Sequence, residues 1–290
     1  MLPKYRVLHK NQFKFEKLVS YCQLQTRLTV SNSKHQNVIF KQFIINPNKH
    51  QQTETTDQFG NVNAQFTIDY AIKSLVLTTI HTVVTQSFSP LNMQQSVDLN
   101  QYNAKDLIEQ NSELSHYFKD SQFIQYNETI KQYAQQSFKP NKPILESCIE
   151  LNTRIYNDFK FDPTISNVNS TAIDCFENQG GVCQDFSHLA IACLRSVGLI
   201  AKYISGYVDT KVDSQINYVP SKDVSHAWFA LFEPIHGWIE FDPTNNCLAT
   251  DRYIRLAFGN DYEDVCPLQG EVNTQGGHSL KVSVDVERLN

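Results

Sequence analysis

Cys183 has the residue type and the sequence position of a thiol nucleophile. It follows Gly180-Gly181 and opens the amphipathic stretch CQDFSHLAIACLRSV, which predicts a helix over residues 183–197. Unpaired N–H groups at a helix N-terminus carry partial positive charge, so they favour a thiolate and can stabilise an oxyanion. By itself, a cysteine that opens a helix is more often a small buried residue, so the downstream sequence decides between the two interpretations.

His226 and Asp242 lie on two strand-like segments, HAWFALFE and GWIEFDP, which the turn sequence EPIHG separates. A hairpin that pairs Phe232 with Trp238 places His226 diagonally next to Asp242 on one face of the sheet. A register shifted by one residue would put them on opposite faces. The first register permits a cysteine–histidine–acid triad, in which Asp242 orients the imidazole and His226 takes the thiol proton.

Three nearby side chains are weaker candidates for shaping this site. The side-chain amide of Gln184 can donate to an oxyanion, although the backbone N–H of Cys183 is the stronger candidate donor. Trp228 shares the predicted face of His226 and can form a wall of the site, although an aromatic residue in a strand usually belongs to a core. Asp185 is interpreted as complementing the helix dipole, with a role in the site left open.

The remaining cysteines and histidines do not have the spacing of a metal site. The run Cys183, His188, Cys193 lies around one predicted helix, and His188 is about 140° round from the thiol. We therefore expect His188 to pack or hydrogen-bond and Cys193 to belong to the core. The phosphate-binding and hydrolase motifs G-x-x-x-x-G-K, G-x-S-x-G and H-E-x-x-H do not occur. The sequence predicts no metal and no cofactor.

Composition limits the class of protein. The chain has 290 residues, 41% of them hydrophobic, and a net charge of −5 without a basic stripe, which argues against nucleic acid or a membrane surface as partner. The longest apolar stretch, residues 74–84, is too short to span a bilayer. No apolar leader is seen at the N-terminus, and the seven cysteines are irregularly spaced. These features predict a cytoplasmic protein with reduced thiols.

The elements that must position the triad fall into two predicted domains. Alternating and β-branched segments predict an antiparallel β-sandwich over residues 1–95, with strands at 21–30, 37–47, 64–70 and 73–85. The segment between the second and third of these strands is interpreted as a polar loop.

The second domain, residues 96–290, has the order of an α+β fold, with a core at about 140–250 and C-terminal strands at 251–290. Helical periodicity predicts helices at 143–159 and 183–197, followed by strands at 199–208, 226–233 and 237–243. The cysteine-bearing helix is expected to pack on the antiparallel sheet.

Three sequence blocks carry a resemblance to a known family. GGVCQDFSHLAIACLRSVGLIAKYISGYV and SHAWFALFEPIHGWIEFDPTNN resemble the core of the bacterial transglutaminase-like family, around its motifs G-V-C-Q-D-F, S-H-A-W and G-W-x-x-F-D-P-T-N. The N-terminal strands with DQFGN resemble the β-sandwich that precedes this core, and DRYIRLAFGNDYEDVCPLQGEV resembles the closing segment. Two departures, Ile200 and Cys266, do not touch the triad.

The resemblance implies a papain-like α+β catalytic domain with Cys183, His226 and Asp242 as its triad. It also implies thiol chemistry on amide bonds of a protein or peptide substrate, without a metal. Water would resolve the thioester acyl-enzyme in a cysteine protease or amidase, and an amine would resolve it in transamidation. Hydrolysis is favoured because the sequence marks no amine site.

A second interpretation is a catalytically silent protein-binding module on the same scaffold. Degeneration usually removes a member of a triad, and here all three positions are filled. The sequence does not predict the oligomeric state.

Overall fold

The N-terminal part of the protein is a β-sandwich. The computed structural model describes residues 2–86, 95–210 and 225–290. Six strands occupy the first of these ranges: β1 Lys4–Val19, β2 Tyr21–Thr29, β3 Gln36–Asn46, β4 Gln51–Thr56, β5 Val62–Ile68 and β6 Ile72–Thr85. They form two antiparallel sheets, and buried residues such as Phe66 and Leu75 face each other between them.

Two C-terminal strands complete this sandwich. β14 (Leu268–Asn273) pairs with β2, and β15 (His278–Arg288) pairs with β1, so the sheet orders are β14-β2-β5-β4 and β15-β1-β6-β3. The sequence analysis assigns these residues to the catalytic domain, and the structure places them in the sandwich instead. A strand shows only its own alternation in the sequence and not its partner, so this pairing leaves no local signal.

The sequence does not predict two further N-terminal strands, β1 and β4. β1 runs for 16 residues with alternating burial and sits between β15 and β6. β4 falls in the segment interpreted as a polar loop. It is an edge strand with all six residues exposed, so it lacks the hydrophobic alternation by which strands are recognised.

The catalytic half is α+β, as expected. Its helices are α1 Ala104–Gln110, α2 Glu128–Ala134, α3 Ile144–Asp158, α4 Ala172–Asn178, α5 Cys183–Ser196 and α6 Tyr262–Val265, with a 3-10 segment at Ser112–Tyr117. A five-stranded antiparallel sheet has the order β12-β11-β10-β9-β13, formed by Cys247–Leu248, Gly237–Asp242, His226–Glu233, Ala201–Val208 and Tyr253–Gly259. A short parallel pair, β7 Lys160–Phe161 and β8 Gly180–Gly181, leads into α5.

Helix α5 lies at the centre of this half. It packs against β9 and β10 on one side and against α2, α3 and α4 on the other. The hydrophobic core between α5 and its neighbours buries Phe186, Leu189 and Cys193, which confirms the apolar stripe predicted for this segment. The helix stops before Gly198, which has φ 87°, a conformation that glycine adopts without strain. The start of α5 is therefore held by packing on almost every side.

The sandwich and the catalytic sheet meet along β13, an edge strand. The side-chain amide of Gln36 donates to the carbonyl of Arg255 at 2.7 Å and accepts from its N–H at 2.8 Å. Asn61 makes the same pair of hydrogen bonds with Phe258, at 2.7 and 2.8 Å. Each amide thus satisfies both polar groups of one buried backbone residue, as a neighbouring strand would. We call these contacts the amide clamps.

Candidate active site

The local fold around Gly181 prepares the N-terminus of α5. The backbone N–H of Val182 donates to Oδ2 of Asp185 at 2.7 Å, so Asp185 caps the first turn. Asp185 is fully buried, and burial raises the pKa of its carboxyl group. A Cβ atom on Gly181 would lie 2.6 Å from that same oxygen, so only glycine leaves room for this cap. Asp185 therefore positions the helix start on which Cys183 sits.

Cys183 is the first residue of α5 and is partly exposed. Its side chain faces the imidazole of His226 and helps to raise the pKa of that ring. Nε2 of that ring is already 2.7 Å from Oδ2 of Asp242, so Nδ1 is the nitrogen that faces the thiol. The structure thus brings the three triad candidates together, although 43 residues separate the cysteine from the histidine in sequence.

The β10–β11 hairpin has the predicted register. Phe232 pairs with Trp238, and the ladder continues to Phe229 and Phe241. His226 lies two residues before Trp228 on β10. In this register its side chain reaches the carboxylate of Asp242 at the end of β11. His226 is only 6% exposed, and Asp242 is completely buried. Solvent screens this pair weakly, which strengthens its electrostatic interaction.

His226 and Asp242 each stabilise the charged form of the other. Burial lowers the pKa of His226, but the charge of Asp242 and the hydrogen bonds with Asp242 and Cys183 outweigh it and raise the pKa to about 10. Burial likewise raises the pKa of Asp242, but the charge of His226 and the hydrogen bonds from His226, Asn245 and Tyr253 hold it below its ordinary value. The geometry therefore favours an imidazolium next to a carboxylate.

Asp242 accepts more hydrogen bonds than the sequence predicts. Oδ2 accepts from the side-chain amide of Asn245 at 2.6 Å and from the hydroxyl of Tyr253 at 2.7 Å. Oδ1 accepts from the backbone N–H groups of Thr244 and Asn245 at 2.9 and 3.2 Å. Asn245 lies within the motif block SHAWFALFEPIHGWIEFDPTNN, so the sequence offers a signal for its role. Tyr253 lies on β13 and carries no signal that connects it with Asp242.

Trp228 lies next to the triad. Its indole is stacked on the His226 ring with centroids 6.1 Å apart, and Tyr253 meets it edge-on at 5.1 Å. Nε1 of Trp228 donates to Oε2 of Glu240 at 2.8 Å, and Glu240 forms a buried ion pair with Arg255. The indole is therefore anchored at one end and presents its face to the imidazole, as the sequence analysis considered.

Two neighbours of Cys183 have other partners. Nε2 of Gln184 donates to the carbonyl of Val168 at 3.1 Å, which ties the preceding loop to α5. The structure thus directs this amide to the loop, and no contact connects it with the thiol. Nε2 of His188 accepts from the N–H of Tyr262 at 3.1 Å, and its ring stacks on Phe123. His188 is a packing histidine, as predicted.

An apolar rim lies beside the start of α5. Phe161, Ile165 and Val168 are 36%, 39% and 61% exposed, although they are large hydrophobic residues. Phe161 meets Phe186 of α5 edge-on, and Ile165 lies against Gly180. We call these three residues the apolar rim.

The arrangement can perform nucleophilic acyl transfer. A thiol at a helix N-terminus, an imidazole whose Nδ1 faces it and a buried carboxylate supply the nucleophile, the acid–base group and its orienter. In the described ranges, no group of three or more His, Cys, Asp or Glu residues could hold a metal ion. The described helices include none that is long and apolar enough to cross a membrane.

Comparisons with known proteins agree with the fold. Residues 131–243 match the transglutaminase-like superfamily, and residues 5–84 match the bacterial transglutaminase-like N-terminal region. An uncharacterized protein of Mycobacterium tuberculosis is 31% identical over 290 residues, which cover 98% of this chain and 92% of that protein. A protein-glutamine gamma-glutamyltransferase of Pseudomonas aeruginosa is 29% identical over 70 residues, covering 24% of this chain and 10% of that protein.

A solved structure shares the whole fold. It is the crystal structure of a putative cysteine protease from Cytophaga hutchinsonii, with a TM-score of 0.77 and 18% identity, and the match covers 100% of this chain and 92% of that one. The sandwich, the α5 helix and the sheet behind it are thus a known combination. The chain belongs to the transglutaminase-like superfamily, with the bacterial transglutaminase-like N-terminal region in front of the core.

Proposed function

We propose that the protein is a thiol-dependent enzyme that cleaves amide or peptide bonds through a thioester acyl-enzyme. The observation that carries this proposal is the chain of contacts from Cys183 through His226 to Asp242. The thiol lies at a helix N-terminus and faces the imidazole, whose pKa it helps to raise, and the imidazole lies 2.7 Å from a buried carboxylate. Membership of the superfamily supports the same chemistry.

In acylation, the thiolate of Cys183 attacks the carbonyl carbon and the π electrons move to the oxygen. The backbone N–H of Cys183 is the nearest donor for this oxyanion. As the carbonyl re-forms, the C–N bond breaks and Nδ1–H of His226 protonates the leaving amine. Asp242 keeps the ring oriented through Nε2 and stabilises its positive charge. The products are a thioester on Cys183 and a free amine.

In deacylation, neutral His226 removes a proton from water, and the oxygen attacks the thioester carbonyl. The C–S bond breaks, the acid leaves, and the thiolate–imidazolium pair is restored. An amine in place of water gives transamidation by the same steps. Hydrolysis is the favoured outcome because water is the commoner acceptor. The similarity to the Pseudomonas protein-glutamine gamma-glutamyltransferase supports transamidation as the second candidate.

The substrate we propose is a protein or peptide, with no nucleic acid, membrane or cofactor involved. The apolar rim supports this substrate class, because a peptide with an apolar residue near the cleaved bond would bury Phe161, Ile165 and Val168. A cytoplasmic location is part of the same proposal.

Thiol reactivity tests the proposal without knowledge of the substrate. We expect iodoacetamide at pH 6 to label Cys183 at least tenfold faster than Cys266, a partly exposed thiol away from the triad. His226→Ala should bring Cys183 down to the rate of Cys266. Equal rates for the two cysteines in the wild type would instead support the silent protein-binding module.

Turnover provides the second test. Fluorescein-labelled casein, with and without dansylcadaverine, separates release of peptides from incorporation of the amine. We expect Cys183→Ala to abolish either activity and the matched control Cys266→Ala to retain it. Full activity of Cys183→Ala on a substrate that the wild type turns over would refute the mechanism.

A further inference from the structure

A cavity of about 370 Å³ lies on the far side of the catalytic sheet from α5. It is enclosed by the sandwich, by the 3-10 segment and by the catalytic sheet, which contribute Phe59, Tyr117 and Trp238 respectively. Its volume falls within the range of small-molecule sites, roughly 300–1,000 Å³. None of the triad residues lines it, so the chemistry proposed above does not explain it.

Lys202 also lines this cavity, inside a cage of aromatic rings. Its Nζ lies 4.2 Å from the ring centroid of Trp238, 4.4 Å from that of Phe258 and 5.8 Å from that of Tyr117. Aromatic rings at these distances attract a cation through their quadrupoles, but they carry no net negative charge that could form an ion pair with it. Within the described parts of the chain, no carboxylate lies within ion-pair distance of this ammonium and no acceptor hydrogen-bonds it.

The neighbouring charges leave Lys202 without a counter-ion. Glu240 lines the cavity, but it is committed to Arg255 at 3.1 Å and to the indole of Trp228. Glu113 lines it too and is exposed to solvent. Lys34 and His35 line it from the sandwich side and add no negative charge.

The aromatic rings leave Lys202 half-buried. Burial lowers the pKa of Lys202 to about 8, with Glu240 raising it and Arg255 lowering it further. An apolar residue of the same length would keep the ring contacts and avoid the desolvation of a charge. An ammonium that borders an aromatic-walled cavity matches a ligand with a negative charge and an apolar body.

We propose that this cavity binds a small organic carboxylate, with Lys202 as its counter-ion and the rings of Phe59 and Trp238 against its apolar part. A dianion such as phosphate fits less well, because the carboxylates of Glu240 and Glu113 line the same cavity and repel a second negative charge.

Benzoate is the probe for this site, and calorimetric titration of the full chain at pH 7 measures its binding. We expect saturable binding to the wild type, at least tenfold weaker binding of the neutral isostere benzamide, and at least tenfold weaker binding of inorganic phosphate. Fluorescence should change with the same midpoint, since Trp238 is one of only two tryptophans. Benzamide that binds as well as benzoate would overturn the proposal without any variant.

Two variants locate the binding. Lys202→Met keeps the packing and removes the charge, so we expect an unchanged or higher melting temperature and at least a tenfold loss of benzoate affinity. Lys202→Arg should retain affinity within tenfold. Cys183→Ser should bind benzoate like the wild type. Wild-type protein that shows no saturable binding, Lys202→Met that binds normally, or Cys183→Ser that loses binding would each contradict the assignment.

Discussion

The phenolic hydroxyl of Tyr253 donates to Oδ2 of Asp242 at 2.7 Å, to the same oxygen that the imidazole of His226 contacts. Tyr253 begins β13, the strand that the amide clamps join to the sandwich. The orientation of the triad therefore depends on a strand that is itself fixed by the N-terminal half. This relationship leads to predictions for both halves of the molecule.

Removal of the Tyr253 hydroxyl should impair catalysis more than binding. A hydrogen bond to a charged group contributes about 1.5–3 kcal/mol, so we expect kcat/KM of Tyr253→Phe to fall by roughly one to two orders of magnitude, mostly in kcat. Steady-state kinetics on a turned-over substrate measure this change. Tyr207→Phe removes a buried hydroxyl that contacts His9, away from the triad, and should leave kcat/KM unchanged. A purely structural Tyr253 would lower stability while sparing kcat.

The His226–Asp242 pair should make stability depend on pH in a defined direction. The folded pKa of His226 is raised from 6.5 to about 10, so its contribution is fully present below pH 6.5 and is lost as pH rises through about 10. The lowered pKa of Asp242 gives a contribution that is present above 3.8 and lost as pH falls through the folded value.

Urea unfolding of wild type and His226→Gln measures this dependence. We expect the difference in free energy of unfolding between the two proteins to shrink steadily from pH 6 to pH 10. A difference that stays constant over this interval would show that His226 does not carry its proton in the folded protein.

A methyl group at residue 181 should displace the helix cap. The Cβ of Gly181→Ala meets Oδ2 of Asp185 at 2.6 Å, so either the cap or the backbone must shift. We expect a loss of about 1–3 kcal/mol in the free energy of unfolding and slower labelling of Cys183 by iodoacetamide. Gly277→Ala is the control, because its Cβ meets only the end of the Glu16 side chain at the surface. Equal stability of the two variants would contradict the role of Asp185.

The Gln36 clamp should contribute measurably to stability. Gln36→Met keeps a similar volume but leaves the N–H and the carbonyl of Arg255 without partners, at a cost of about 1–3 kcal/mol for each buried group. Gln42→Met, on an exposed position of the same strand, should change stability by less than about 0.5 kcal/mol. Chemical denaturation followed by fluorescence compares the two variants. A Gln36→Met protein as stable as Gln42→Met would show that the clamp is dispensable.

Sequence reasoning recovered the parts of the site that follow from local pattern. The apolar stripe predicted α5 with Cys183 at its start, and turn residues with strand alternation predicted the register that pairs Phe232 with Trp238. Both inferences depend on residues close together in the chain, where periodicity fixes which side chains share a face.

The remaining features depend on contacts between distant segments. Tyr253 on β13 and the amides of Gln36 and Asn61 have types that are usually unremarkable in a strand or a turn. Their roles appear only when the partner backbone or carboxylate is in place. Lys202 likewise looks like an ordinary surface lysine of a strand, and its aromatic cage comes from three separate segments.

The return of β14 and β15 to the sandwich has a consequence for biosynthesis. The ribosome synthesises β1 and β2 first. Each of them has one partner strand, β15 for β1 and β14 for β2, that is translated only after the whole catalytic core. Until then, both strands present an open row of N–H and C=O groups to other nascent chains. Both edges become covered only when β14 and β15, from residue 268 onward, have been synthesised.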